Sequence, residues 1–172
     1  MSNCHVVDRY FEAVSHLGIK NDGHGLDYFI PEKDQVEMNW LPKSHQNGFV
    51  AYVIGTTGWT IILPFRKMGW LCDKINKPFI LLGAKEEFEA GEKLEKSFNA
   101  DSGSKEIDKG FEKLGKKTVI FNACGKFYLS QSASLVKQIQ VVFGHDTGLT
   151  HIAAAFKKII FSNWGGRYWF WC

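Results

Sequence analysis

Apolar residues follow two rhythms along this chain. In residues 5–18, Val7, Tyr10, Phe11, Val14 and Leu17 recur every three or four positions, which is the spacing of one helix face. The turn-rich KNDGHG and the short apolar segment Leu26–Ile30 follow. Residues 31–47 are polar, carry Pro31, Pro42 and Asn47-Gly48, and read as a connector. From Gly48 short continuous apolar runs take over: Phe49–Ile54, Phe79–Leu82, Val119–Phe121, Val141–Phe143 and Ile159–Phe161. Between them the pattern returns to helical spacing. Pro64 opens a helix with the stripe Met68, Leu71, Cys72 and Ile75. Residues 86–98 place Ala90, Leu94 and Phe98 on one face; Leu129, Ala133 and Val136 mark another helix, and Leu149, Ile152, Ala153 and Phe156 a last one. The polar SGSKEIDKGFEKLGKK reads as a loop or ragged helix. Apolar runs bounded by turns and separated by helices predict parallel strands covered on both faces. Right-handed crossovers then give a doubly wound α/β layer over residues 48–163.

Composition narrows the picture. The 172 residues are 45% hydrophobic and 23% charged, which excludes a disordered chain. Lys+Arg 21 against Asp+Glu 18 leaves a net charge of +3, too little for a nucleic-acid surface and compatible with loose contact with an anionic membrane. No apolar run approaches the roughly 18 residues of a bilayer span. The opening MSNCHVVDRYFEAV lacks a basic segment followed by an apolar one, so no secretory leader is expected. Cys4, Cys72, Cys124 and Cys172 are widely spaced, without a CxxC pair. They read as reduced thiols of a cytoplasmic protein rather than a disulfide framework or zinc site.

Candidate chemistry gathers where strands turn into helices, because ligands of open parallel sheets bind at the carboxyl ends of the strands. Residues 144–156, GHDTGLTHIAAAF, run from a strand through a tight turn into a helix. The unpaired first amides of that helix, near Thr147, Gly148 and Leu149, can hold a phosphate. Asp146 either caps the helix or accepts hydrogen bonds from sugar hydroxyls. His145, Asp146 and His151 lack a metal-binding spacing, and His151 reads as packed or phosphate-facing. Gly55, Thr56, Thr57, Gly58 and Thr60 can line an anion site, although the P-loop pattern is absent. After the second run, Lys85, Glu86 and Glu87 sit at a pocket edge, either to hold ribose hydroxyls or simply as acidic residues favoured at a helix start. After the third, Lys126 is a candidate for phosphate, and Phe127 either stacks on a base or belongs to the core. Cys124 has no histidine partner implied by spacing.

These motifs resemble a known family. GHDTGLTHIAAAFKK (144–158) and CGKFYLSQSASLVKQ (124–138) are similar to glycosyltransferase family 9, the lipopolysaccharide heptosyltransferase group. The likeness extends through GFVAYVIG, LPFRKM, LCDKINKPFILLGAKEEFEAGE and FSNWG, and rests chiefly on DTGLTH (146–151). It implies a GT-B architecture of two Rossmann-like domains with the active site between them. Residues 48–165 would be the C-terminal, donor-binding domain. Residues 1–47 would be a remnant of the N-terminal acceptor domain with its linker, and 166–172 an atypical tail. The resemblance implies inverting, metal-independent transfer without a cofactor, from an ADP-heptose-like nucleotide sugar to a lipopolysaccharide core acceptor. That work would be done in the cytoplasm, in peripheral contact with the inner membrane. The catalytic base is expected in the N-terminal domain.

Carried onto this chain, Asp146 would hold sugar hydroxyls, and the amides of Thr147, Gly148 and Leu149 the diphosphate. Thr56 and Thr57 would lie near phosphate, Glu86 near ribose, and Phe127 against adenine. The chain departs from the family in having Ile61 and Ile62 where a basic residue usually follows Thr60, and in the tail Gly166–Cys172. These departures raise an alternative, a non-catalytic module that binds a nucleotide sugar. A sugar-nucleotide epimerase is disfavoured by DTGLTH.

Overall fold

The computed structural model describes residues 6–55, 65–99 and 118–163. Helix α1 spans Val6–Val14, and β1 spans Val50–Val53. There follow α2 (Phe65–Ile75), β2 (Phe79–Leu82), α3 (Phe88–Asn99), β3 (Ile120–Asn122), α4 (Leu129–Lys137), β4 (Val141–His145), α5 (Gly148–Ala155) and β5 (Ile159–Asn163). Each of the five apolar runs is a strand. Together they form one wholly parallel sheet in the order β3-β2-β1-β4-β5. The chain builds outward from β1 to one edge and then returns to β4 on its other side. The order therefore reverses between β1 and β4, which leaves a crevice at their carboxyl ends.

The alternation of side chains splits the core into two layers. Ala51, Val53, Ile80, Leu82 and Val142 face α4 and α5, meeting Ala133, Leu135, Val136, Leu149, Ile152 and Ala153. Val50, Tyr52, Phe79, Leu81 and Ile120 face α2 and α3, meeting Met68, Cys72 and Leu94. All residues of β1 and β2 are buried, which is why these strands read as unbroken apolar runs.

Four local expectations change. Residues 31–47 are a connector in composition but not in packing. Val36 and Leu41 are buried against the first core layer, with Tyr28, Ile30 and Met38 beside them. Each such burial contributes about 1.5–3 kcal/mol. The Val36 amide donates to Ser134 Oγ at 2.9 Å, and Gln138 Nε2 donates to the Val36 carbonyl at 2.7 Å, so the segment is clipped to α4. His45 is fully buried and bonds the Phe79 carbonyl through Nε2 at 2.9 Å. Polar residues suit this path because they satisfy backbone groups that no ladder reaches.

In α3, Leu94 is buried and Phe98 packs on the core as the spacing predicts, but Ala90 is exposed and Gly91 is buried in its place. A methyl group at Gly91 would collide with the Asn122 side chain, so glycine is what lets α3 approach β3. In α4, Leu129 is exposed and the buried face is Ser132–Val136. Along the α1 stripe Tyr10 and Leu17 are exposed, whereas Val7, Phe11 and Val14 are half-buried. Thr56, Thr57, the 101–117 stretch and the tail after Asn163 lie outside the described residues. Among the described residues no helix is long and apolar enough to cross a membrane.

Candidate functional site

The carboxyl ends of β1 and β4 bring two turns together. Val53 of β1 is in register with Gly144 of β4. The approach is close, because a methyl group at Gly144 would lie 3.0 Å from both Val53 Cβ and Thr150 Cγ2. Beyond β4 the chain turns at Asp146, and α5 starts at Gly148 with Thr147 as its N-cap in extended conformation.

Thr150 ties this turn. Its hydroxyl donates toward the carbonyls of Thr147 and His145, at 2.7 and 3.1 Å, and accepts from the Thr147 amide at 3.1 Å. The Thr150 amide bonds the Thr147 carbonyl at 3.1 Å. Of the three amides singled out in the sequence, that of Thr147 is therefore satisfied internally. Among the described residues nothing accepts from the amides of Gly148 and Leu149. These are the first orphan donors of a helix and sit at the positive end of its dipole. Gly148 is exposed, and a methyl group there would meet nothing within 4 Å, so the corner is open. The Leu149 side chain is buried in the core and leaves only its backbone to the site.

Asp146 and His151 flank this corner. His151 Nε2 lies 3.1 Å from Asp146 Oδ1, and both side chains reach solvent. His151 is thus neither packed in the core nor isolated; it meets the aspartate on the rim. Beneath them His145 is buried and stacks on Tyr52 at 6.3 Å. Burial lowers its pKa, partly offset by a bond to the Val53 carbonyl. It is a neutral floor to the site, and Tyr52 is raised above its ordinary value by burial in the same way.

On the β1 side the chain enters the crevice through Gly55, whose φ of +134° suits glycine alone. The Glu87 carboxylate lies against it, 2.8 Å from where a Cβ would be. Glu86 is exposed, whereas Glu87 is half-buried and turned toward the strand end. Sequence reasoning named both at a pocket edge and favoured Glu86. The signal that separates them is Gly55, which leaves room only for the side chain that reaches it.

Lys126 is exposed, with Nζ 4.5 Å from the centroid of Phe121. Phe127 is half-buried against the first core layer. Neither lies in the same turn as Asp146. The Cys124 thiol is pushed up to about 12, first by burial and then by the Glu87 carboxylate. It is a protonated thiol and a poor nucleophile. Among the described residues no group of three His, Cys, Asp or Glu side chains could hold a metal ion. A separate cleft of about 1050 Å³, lined by Ser44, Asn76, Lys77, Gln138 and Gln140 among others, opens at the amino ends of the strands. Among the described residues none of the candidates above lines that cleft.

Comparison with known proteins places the fold. The model of glycosyltransferase family 9 (heptosyltransferase) matches residues 97–162, a span that contains β3, α4, β4, α5 and most of β5. The resemblance carried by DTGLTH is to this family. No curated protein sequence matches the chain. Among solved structures, a glycosyl transferase family 9 protein from Veillonella parvula aligns with a TM-score of 0.68 at 16% identity, covering 94% of this chain and 43% of that one. The E. coli heptosyltransferase WaaC with ADP-2-deoxy-2-fluoro heptose aligns at 0.57 and 19% identity, covering 94% and 45%. The E. coli ADP-heptose LPS heptosyltransferase II aligns at 0.57 and 16% identity, covering 79% and 38%. The fold is thus the Rossmann-like parallel α/β layer found in these glycosyltransferases. The chain spans less than half the length of the solved structures it matches.

Proposed function

We propose that this chain is the donor-binding half of a glycosyltransferase that moves a heptose-like sugar from an ADP-type nucleotide sugar to a lipopolysaccharide-type acceptor. The observation that carries the reading is the open start of α5, next to the β1/β4 reversal, where nothing among the described residues accepts from the Gly148 and Leu149 amides. A pyrophosphate placed there meets two N–H donors and the helix dipole. In transfer, the acceptor oxygen bonds to the anomeric carbon as the bond from that carbon to the pyrophosphate oxygen breaks. The electron pair of the broken bond stays on the departing diphosphate, and the helix start stabilises that charge as it develops. The acceptor proton passes to a base outside the described residues. Attack from the face opposite the diphosphate gives inversion.

Asp146 holds sugar hydroxyls in this reading, with His151 fixing its carboxylate. Glu86 and Glu87 offer carboxylates for ribose, with Glu87 the better placed. Thr56, Thr57 and Lys126 supply phosphate contacts and Phe127 a face for the base. Support for a donor half comes from the WaaC neighbour, whose structure holds an ADP-heptose analogue. In this reading residues 1–47 are the edge of an adjoining acceptor domain, and the exposed Tyr10 and Leu17 support it. The work would be cytoplasmic, at the inner face of the membrane where such acceptors are built.

Gly148→Pro tests the cradle. Proline fits the first helical position and removes only an N–H that is unpaired, and the extended Thr147 before it tolerates proline. Calorimetry should show ADP and an ADP-sugar both weakened about tenfold, the loss of one charge-assisted hydrogen bond. Unchanged affinity for both would reject the reading. Asp146→Ala should weaken the ADP-sugar about tenfold and leave ADP nearly unchanged. Equal losses would remove Asp146 from the sugar.

A further inference from the structure

Around the axis of α2, residues 66–75 divide sharply. Met68, Gly69, Cys72 and Asp73 are buried, and Leu71 and Ile75 are half-buried. The exposed positions are Arg66, Lys67, Trp70 and Lys74. At 3.6 residues per turn these four fall within one arc of about 100°. The arc therefore carries three cations and one indole, while the one acid of the helix, Asp73, is buried. Trp70 is 57% exposed, and Lys74 Nζ lies 5.9 Å from the centroid of its ring.

We propose that this arc rests on an anionic lipid surface, with Trp70 as the anchor and Lys67 and Lys74 as its electrostatic contacts. Two features of the arc select that partner. The first is the ring. In water an indole leaves its apolar body unburied. At the boundary of a bilayer the ring sits among headgroups and acyl chains, with its N–H in the wet layer. A lysine stem can lie along such a ring while its ammonium reaches a lipid phosphate. Lys74 already lies over Trp70 in that way. The second feature is charge. Each cation near an anionic surface strengthens binding about fivefold, and no acid on the arc offsets Lys67 and Lys74.

A nucleic acid fits the arc less well, because the arc offers one ring for stacking and the whole chain carries only +3. The placement also leaves the donor corner free. Helix α2 packs on the layer of Tyr52 and Phe79, and α5 on the opposite layer with Val53 and Val142. A bilayer against α2 therefore does not cover the start of α5. The proposal gives a surface to the membrane contact in the reading above, but it stands on α2 alone.

Vesicle co-sedimentation of the full chain tests it. The protein should pellet with vesicles of phosphatidylcholine and phosphatidylglycerol, and stay in solution with phosphatidylcholine alone. Raising the salt from about 0.1 to 1 M should release it, because exposed charges are then screened. Lys67→Gln with Lys74→Gln should weaken binding to the anionic vesicles about thirtyfold. The same loss of charge at the ends of α4 and α5, Lys137→Gln with Lys157→Gln, should change it less than about twofold, since attraction fades within a Debye length. All four lysines are exposed, so circular dichroism should show both double variants folded. Brominated lipid in the anionic vesicles should quench part of the tryptophan emission, and Trp70→Phe should abolish that quenching although the other tryptophans remain. No pelleting with anionic vesicles, equal weakening by the two double variants, or quenching that survives Trp70→Phe would each overturn the proposal. So would tighter binding of a single-stranded oligonucleotide that is lost with Lys67 and Lys74, which would assign the arc to nucleic acid. ADP calorimetry separates the two readings: lost vesicle binding with ADP affinity intact strikes the membrane face alone, and the converse strikes the donor cradle alone.

Discussion

Single residues set the chemistry of this molecule by what they leave unpaired or uncharged. At the start of α5 the difference between a cap and a cradle is one hydroxyl. Thr150 satisfies Thr147 and leaves Gly148 and Leu149 as donors. Buried histidines have the opposite task of staying neutral. His45 donates from Nε2 to the Phe79 carbonyl, which can only accept, so Nδ1 accepts from the Ser44 hydroxyl at 2.9 Å. Burial lowers the pKa of His45 and of His145 below the ordinary 6.5. Below that value the unfolded chain binds protons that the folded chain refuses. The stability these histidines contribute is complete above about pH 6.5 and is lost as the pH falls toward their lowered values. Thermal unfolding followed by circular dichroism should show a Tm that is flat near neutrality and declines as the pH falls below about 6.5. His45→Gln should lower Tm at neutral pH and flatten that decline; an unchanged slope would show that His45 titrates normally.

Elements were legible where burial dictates pattern. The central strands β1 and β2 announce themselves as apolar runs, because a strand covered on both faces has no polar side to show. Helices with one dry face were legible by period, and Met68, Cys72, Ile152 and Ala153 sit where period puts them. Two things escaped. Gly91 reads as a neutral residue in a helix, and only the Asn122 side chain behind it explains why a buried stripe passes through it. The 31–47 stretch has no period because its fold is set by hydrogen bonds to residues about a hundred positions away. At the site, GHDTGLTH was legible as strand, turn and helix, whereas the placing of the Glu87 carboxylate at the strand end depended on a distant glycine. The clips predict a measurable cost. Ser134→Ala leaves the buried Val36 amide without an acceptor and should lower stability by about 1–3 kcal/mol in urea denaturation. A loss within 0.5 kcal/mol would mean that the connector is held by its apolar residues alone.

At the scale of the whole molecule, two core layers on one sheet give a folded unit in which thiols report on the global state. Cys72 and Cys124 lie on the same side of the sheet, buried, and both are pushed up to about 12 chiefly by burial. Iodoacetamide at pH 8 should leave both untouched in the native protein and modify both in denaturant, as read by peptide mass spectrometry. Rapid native labelling of Cys124 would mean that the β3 end opens locally. The clipping of the connector has its own mechanical consequence. From Tyr28 onward the chain is fastened to α4 and β2, whereas no residue from Ser15 to Asp27 is buried. Gly18, Gly23 and Gly25 fall within that span, each in a left-handed conformation with open space around it. A swing relative to the sheet would therefore pivot upstream of Tyr28, and the belt from Val36 to His45 travels with the sheet as part of its frame.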